Sequence, residues 1–147
     1  MLVGVETTHA DTLQAAGLRA TAGRLAVLGA LDASPHADAE RVFRAVLAEL
    51  PTTSIQSVHN ILADLTAAGL LRRIEPAGSA ARYERRIDDN HHHLVCTSCG
   101  AVADVDCVVG HAPCLVPSST AGFAVQSAEV TFWGLCSECQ AASQNNA

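Results

Sequence analysis

A chain of 147 residues, 49% hydrophobic and 16% charged, has enough apolar content for a packed core and falls outside the disordered class. No run approaches the ~18 consecutive apolar residues of a membrane span, and the N-terminal MLVGVETTHADTL has no basic segment followed by an apolar one, so the expected compartment is the cytoplasm. The net charge of -6 is unevenly spread: residues 1–87 carry nine arginines against nine acids, whereas residues 88–147 carry six acids and no lysine or arginine. Every cysteine and four of the seven histidines also belong to this acidic half. The pattern predicts two domains, 1–86 and 87–147, joined at about 85–90. The acidic half is suited to holding cations, and the arginine-bearing half alone could face a polyanion.

In chain order, Leu13, Ala16 and Gly17 predict a short opening helix that ends at a glycine, and Thr21 caps a second helix with Leu25, Leu28 and Leu31 on one face. Asp38 is the expected N-cap of a third, whose Val42, Phe43, Val46, Leu47 and Leu50 are spaced amphipathically before Pro51. Thr53 and Gln56 stand at capping-box spacing before a fourth helix with the stripe Ile55, Val58, Ile61, Leu62 and Leu65. LLRRIEPAGSAARYERR then predicts a β-hairpin with arginines on both arms. Helices followed by a basic hairpin describe a winged helix-turn-helix.

On that reading the fourth helix enters a major groove and presents Gln56, Ser57, His59, Asn60 and Asp64, of which Gln and Asn can pair with adenine edges. Arg72, Arg73, Arg82, Arg85 and Arg86 would grip phosphates, with Arg19 and Arg24 on the opposite flank. For single residues the plainer readings are a helix cap for Gln56 and a solvated surface for the arginines.

The acidic half contains Cys96-Thr-Ser-Cys99 and Cys136-Ser-Glu-Cys139. Two such knuckles supply the four thiolates of a closed tetrahedral zinc site, which has no open position and holds structure rather than performing chemistry. Redox-active dithiols or buried thiols are the alternatives, and the βαβ context of a thioredoxin-type motif is absent. In Asn90-His-His-His-Leu-Val-Cys96 an extended backbone puts His91 and His93 on one face and His92 on the other. Asp104, in a strand expected beside the first, could bring a carboxylate to the same place, and the alternative is a solvated turn. Mixed nitrogen and oxygen ligands suit iron, manganese, nickel or zinc alike.

From about residue 10 to Cys139 the sequence resembles the ferric uptake regulator family of bacterial metal-dependent repressors. The matching segments are GLRATAGRLAVL, HADAERVF, SIQSVHNILADLTAAGLLRRI, ARYE, HHHLVCTSCGAVADV and FWGLCSEC, in that order. The resemblance implies an α+β fold: an N-terminal winged helix-turn-helix domain followed by a small α/β dimerisation domain. It also implies a structural zinc on Cys96, Cys99, Cys136 and Cys139, and a regulatory ferrous or manganous ion on His36, Glu84, His91, His93 and Asp104. The partners it implies are a double-stranded DNA operator and a second copy of the chain, with no membrane.

Asp104 and the stretch DVDCVVGHAPCL further resemble the branch that senses peroxide and represses catalase genes, in which iron-driven chemistry oxidises a ligand histidine, here His36 or His91. An iron or other divalent-metal regulator without peroxide sensing is the alternative. The sequence departs from the family in having His59-Asn60 where many members have Tyr-Arg. It also has Ala128 and Asn90 where a further metal site would need its ligands, so two metals per subunit are expected. Cys107 and Cys114 lie outside the ligand pattern and read as packed or partly exposed thiols. For a zinc hydrolase the sequence offers no His-Glu-x-x-His, Gly-x-Ser-x-Gly or phosphate-binding glycine loop, and a thiol oxidoreductase would have to cycle its knuckles without zinc. Neither enzyme class is expected.

Overall fold

A computed structural model describes residues 8–76, 78–85, 91–106, 117–125 and 129–145. The chain divides into two compact units, Met1–Ile87 and Asp88–Ala147.

The first unit carries four helices, α1 (His9–Ala15), α2 (Ala22–Ala33), α3 (Ala39–Glu49) and α4 (Ile55–Ala67), then a hairpin of β1 (Arg72–Ile74) and β2 (Arg82–Glu84). The helix starts are fixed by side chains that accept otherwise unpaired backbone N–H groups. Thr8 forms a capping box with Asp11, Thr21 accepts from Arg24 N–H, and Asp38 accepts from Arg41 N–H. At α4 the expected box of Thr53 and Gln56 does not form: Ser54 is the cap, accepting from Ser57 N–H, and Gln56 instead donates to Asn60 Oδ1 at 3.0 Å. One consequence is that Ile55 lies in the first turn beside the cap and is 40% exposed, outside the stripe expected to be buried.

The remaining apolar positions build one core. Val27, Leu28 and Leu31 of α2, Val42 and Val46 of α3, and Val58, Leu62 and Leu65 of α4 are buried together with Leu13, Leu71 and Tyr83. Leu25, Phe43 and Ile61 pack partly buried at its margin. At Gly23 a Cβ would lie 3.0 Å from Ile61 Cδ1, so the glycine leaves room for that side chain where the start of α2 approaches α4. In the hairpin the antiparallel register pairs Arg72 with Glu84, Arg73 with Tyr83 and Ile74 with Arg82.

The second unit contains β3 (His91–Cys96), β4 (Val102–Asp106), β5 (Thr131–Gly134) and α5 (Ser137–Asn145). Its sheet has the order β4-β3-β5, with β3 antiparallel to β4 and parallel to β5. Among the described residues the buried hydrophobics of this unit are Val95 and Cys96. Leu94, Phe132, Trp133 and Leu135 are each between 45% and 49% exposed, and an apolar cavity of about 250 Å³ is lined by residues that include these four.

Candidate metal centres and nucleic-acid face

The four cysteines of the two knuckles meet because β3 and β5 run parallel. Cys96 closes β3 opposite Gly134, so Cys136 lies two residues beyond that register partner. The first knuckle turns through Gly100, whose φ of 77° is the left-handed backbone a side chain disfavours, and Gly100 N–H donates to Cys96 O at 3.0 Å. The second leads into the first turn of α5. All four Sγ atoms lie within 4.8 Å of one another, and Cys99 and Cys136 are 3.7 Å apart.

That separation is far too long for a disulfide. It matches the roughly 3.8 Å edge of a tetrahedron whose metal–sulfur bonds are about 2.3 Å. Cys96 Sγ also accepts the backbone N–H groups of Cys136 at 3.4 Å and Cys99 at 3.5 Å, which lower its thiol to about 6. The adjoining Cys136 thiol pushes Cys139 the other way, to about 12. Four thiols this close do not ionise together unaided, and a divalent cation at their centre removes the conflict. The donor set and its spacing fit a closed zinc site.

A second set of ligand-type residues is distributed over both units. In the first unit, His36 Nε2 lies 3.1 Å from Glu84 Oε2, and the two residues are 6% and 1% exposed. His36 sits in the loop between α2 and α3 with φ of 65°, an unusual backbone for a non-glycine residue that costs about 1–2 kcal/mol. Its carbonyl accepts from the Arg82 guanidinium at 3.2 Å, and Tyr83 N–H donates to Ala37 O at 3.1 Å. Arg72 Nε approaches Glu84 Oε1 at 3.9 Å from the neighbouring strand.

In the second unit, strand alternation puts His91 and His93 on one face with Asp104, whose Oδ1 is 3.6 Å from His91 Nε2 and 3.4 Å from His93 Nε2. The two imidazoles stand edge to face with centroids 5.0 Å apart. Sequence reasoning did not single out Asp106, which is the direct register partner of His91. The Asp-Val-Asp pattern of β4 was the available signal, since alternation places both acids on one face.

On α4, Gln56, Ser57, His59, Asn60 and Asp64 are all exposed, as is Arg19. Arg73 is half-exposed beside Glu75, and its hydrogen bond with the Tyr83 hydroxyl raises its pKa further. Other arginines of the expected phosphate grip are engaged within the unit. Arg24 donates to Arg19 O at 2.9 Å and lies 3.7 Å from Asp64, while Arg85 donates to Asp32 at 2.6 Å. Asp32 also lies 2.6 Å from His9 Nε2, a cluster that sequence spacing had no means of announcing. Arg86, Asn90, Cys107, Cys114 and Ala128 lie outside the described residues.

A helix-turn-helix with a hairpin wing, joined in one chain to a four-thiol metal centre, is the make-up of a metal-dependent transcriptional regulator. The chain belongs to the ferric uptake regulator family, whose model matches residues 15–132, and is accordingly a transcription regulator and not an enzyme. It is 56% identical over 131 residues to the transcriptional regulator FurA of Mycobacterium tuberculosis, covering 89% of each chain. It is 58% identical over 121 residues to ferric uptake regulation protein 1 of Mycolicibacterium fortuitum, covering 82% of this chain and 75% of that one. The fold is shared with the ferric uptake regulator of Helicobacter pylori, at a TM-score of 0.66 and 23% identity over 88% of this chain and 87% of that one. No helix among the described residues is long and apolar enough to cross a membrane.

Proposed function

We propose that the chain is a DNA-binding repressor that works as a homodimer, with zinc on Cys96, Cys99, Cys136 and Cys139 and a regulatory ferrous or manganous ion on His36, Glu84, His91, His93 and Asp104. The observation that carries the reading is that two half-sets of ligands are already assembled. His36 and Glu84 are paired and buried in one unit, and His91 and His93 share Asp104 in the other. One ion taking ligands from both would fix the orientation of the winged helix relative to its dimerisation partner, and so the spacing of two recognition helices. The exposed Leu94, Phe132, Trp133 and Leu135 support a second copy packing on the sheet of the acidic unit.

In this reading Gln56, Ser57, His59 and Asn60 meet base edges and backbone, while Arg19, Arg72 and Arg73 meet phosphates. We further propose that the regulated signal is hydrogen peroxide and that the controlled genes serve its removal, for which Asp104 and the two ligand histidines are the support. Iron held by these ligands would supply one electron to hydrogen peroxide, leaving hydroxide, a hydroxyl radical and the ferric ion. The radical would add to the imidazole of His36 or His91, and loss of a further electron and a proton, with the ferric ion as electron acceptor, would leave an oxidised ring that donates poorly to a metal. The second reading is an iron regulator without peroxide sensing; the name of the similar Mycolicibacterium fortuitum protein, ferric uptake regulation protein 1, supports iron as the metal.

One experiment separates the two. DNA footprinting of the iron and manganese forms, with and without stoichiometric peroxide, is combined with mass spectrometry of tryptic peptides. His36 falls in Leu25–Arg41, and His91 in the fragment that begins at Ile87. Peroxide sensing requires added oxygen on one of these peptides and loss of the footprint in the iron form alone. Retained footprints after histidine oxidation leave the plain metal regulator. Equal loss in both metal forms assigns the response to thiol chemistry instead.

A further inference from the structure

We propose that Arg82 is a positioning residue for His36, holding that histidine in its left-handed backbone conformation so that its imidazole meets Glu84. The proposal rests on the reading of His36 and Glu84 as ligands of the regulatory ion. Among the described residues, His36 and Ala121 alone combine a side chain with positive φ, and of these only His36 is buried. Such a conformation persists where the surroundings over-determine it.

One strand supplies several of these constraints. Alternation places Arg82 and Glu84 on the same side of β2, with Tyr83 on the other. Arg82 donates from its guanidinium to His36 O at 3.2 Å, and Glu84 Oε2 meets His36 Nε2 at 3.1 Å. The same strand therefore grips His36 at its backbone and at its ring. Two further contacts fasten the residues that follow: Tyr83 N–H donates to Ala37 O, and Asp38 forms an isolated antiparallel bridge with Arg82. A guanidinium suits this task because its planar array of donors is rigid. A phosphate-gripping role for Arg82 would require the guanidinium to leave the His36 carbonyl.

The sign of the effect discriminates between mechanisms. Arg82 is a cation on the strand face that carries Glu84, so by Coulomb repulsion alone its removal would tighten binding of a divalent ion. If its role is to position His36, removal weakens binding instead. The test uses the full-length zinc-loaded chain, with manganese(II) as the probe. Without manganese, the amide-to-Hα coupling and Cα shift of His36 report its backbone directly. In Arg82→Met both should move away from left-handed values, and manganese should bind about tenfold more weakly, the scale on which residues orienting a ligand act. Arg82→Lys, which keeps the charge and a donor of different shape, should recover part of the loss and carries the same comparison if the Met variant does not fold. Unchanged His36 signals in Arg82→Met, or manganese affinity equal to or above the parent, would overturn the proposal. His36→Ala serves as the separate control: if it binds manganese as the parent does, the ligand assignment falls, while the manganese-free His36 signals still decide the role of Arg82.

Discussion

The pairing of His9, Asp32 and Arg85 shows how much one carboxylate can organise. Burial alone would raise the Asp32 carboxyl, but hydrogen bonds from His9 and Arg85 and the Arg85 charge outweigh it and hold it below its ordinary 3.8. A depressed folded-state pKa contributes stability that is present above the unfolded value and disappears as the pH falls through the folded one. Asp32→Asn should therefore destabilise the first unit at neutral pH, and the gap between variant and parent should close below pH 3.8 in thermal melts across a pH series. A gap that persists into acid would assign the effect to packing. Arg73 makes a different kind of prediction, because it lies half-exposed on the hairpin face opposite Arg72 and Glu84. If it contacts a phosphate, Arg73→Ala should flatten the salt dependence of DNA binding by about one unit of log–log slope. An unchanged slope would remove that arm of the hairpin from the interface.

At the scale of elements, the helices were legible because caps and apolar spacing are local properties. Thr21, Asp38, Gly17 and the stripes of Leu28, Val46 and Leu62 could be read directly from the chain. The start of α4 was displaced by one residue because Thr53 and Ser54 are both competent caps, and only tertiary placement selects between them. Ser54→Ala should cost about 1 kcal/mol, which for a domain of this size lowers the melting temperature by roughly 4–8 °C. Thr53→Ala should leave it near the parent, and calorimetry of the two variants decides the cap. The alternation that sets His91 and His93 against Asp104 was equally legible, whereas the left-handed backbone of His36 was not. A turn histidine in SPHAD carries no mark of positive φ, and the contact that fixes it comes from Arg82, 46 residues away.

At the scale of the whole molecule, the buried apolar contacts among the described residues lie mostly in the first unit. The large apolar cluster belongs to the first, from Leu13 to Tyr83, while the described part of the second buries little beyond Val95 and Cys96. On the proposed zinc assignment the four thiols would add to the second unit's stability, since a structural zinc contributes on the order of 10 kcal/mol of folding energy. Stripping zinc with a strong chelator, or replacing Cys136 by Ser, should melt the sheet and abolish dimerisation while the helical circular dichroism of the first unit persists. A zinc-free chain that stays a folded dimer would show that the thiol cluster is dispensable. The family was legible from segments in both halves, but only the fold explains why the two knuckles meet: parallel pairing of β3 with β5 brings together Cys96 and Cys136, 40 residues apart.

Trp133 is the chain's single tryptophan and Tyr83 its single tyrosine, and they lie in different units, the first half-exposed on β5 and the second buried against the helices. Nature has thereby given each half its own optical label. Light at the red edge of aromatic absorption excites only the acidic half, three residues from Cys136, so the proposed zinc and the proposed subunit contact can both be tested there in real time. The tyrosine band reports independently whether the helical half has stayed intact, with no dye, tag or substitution introduced.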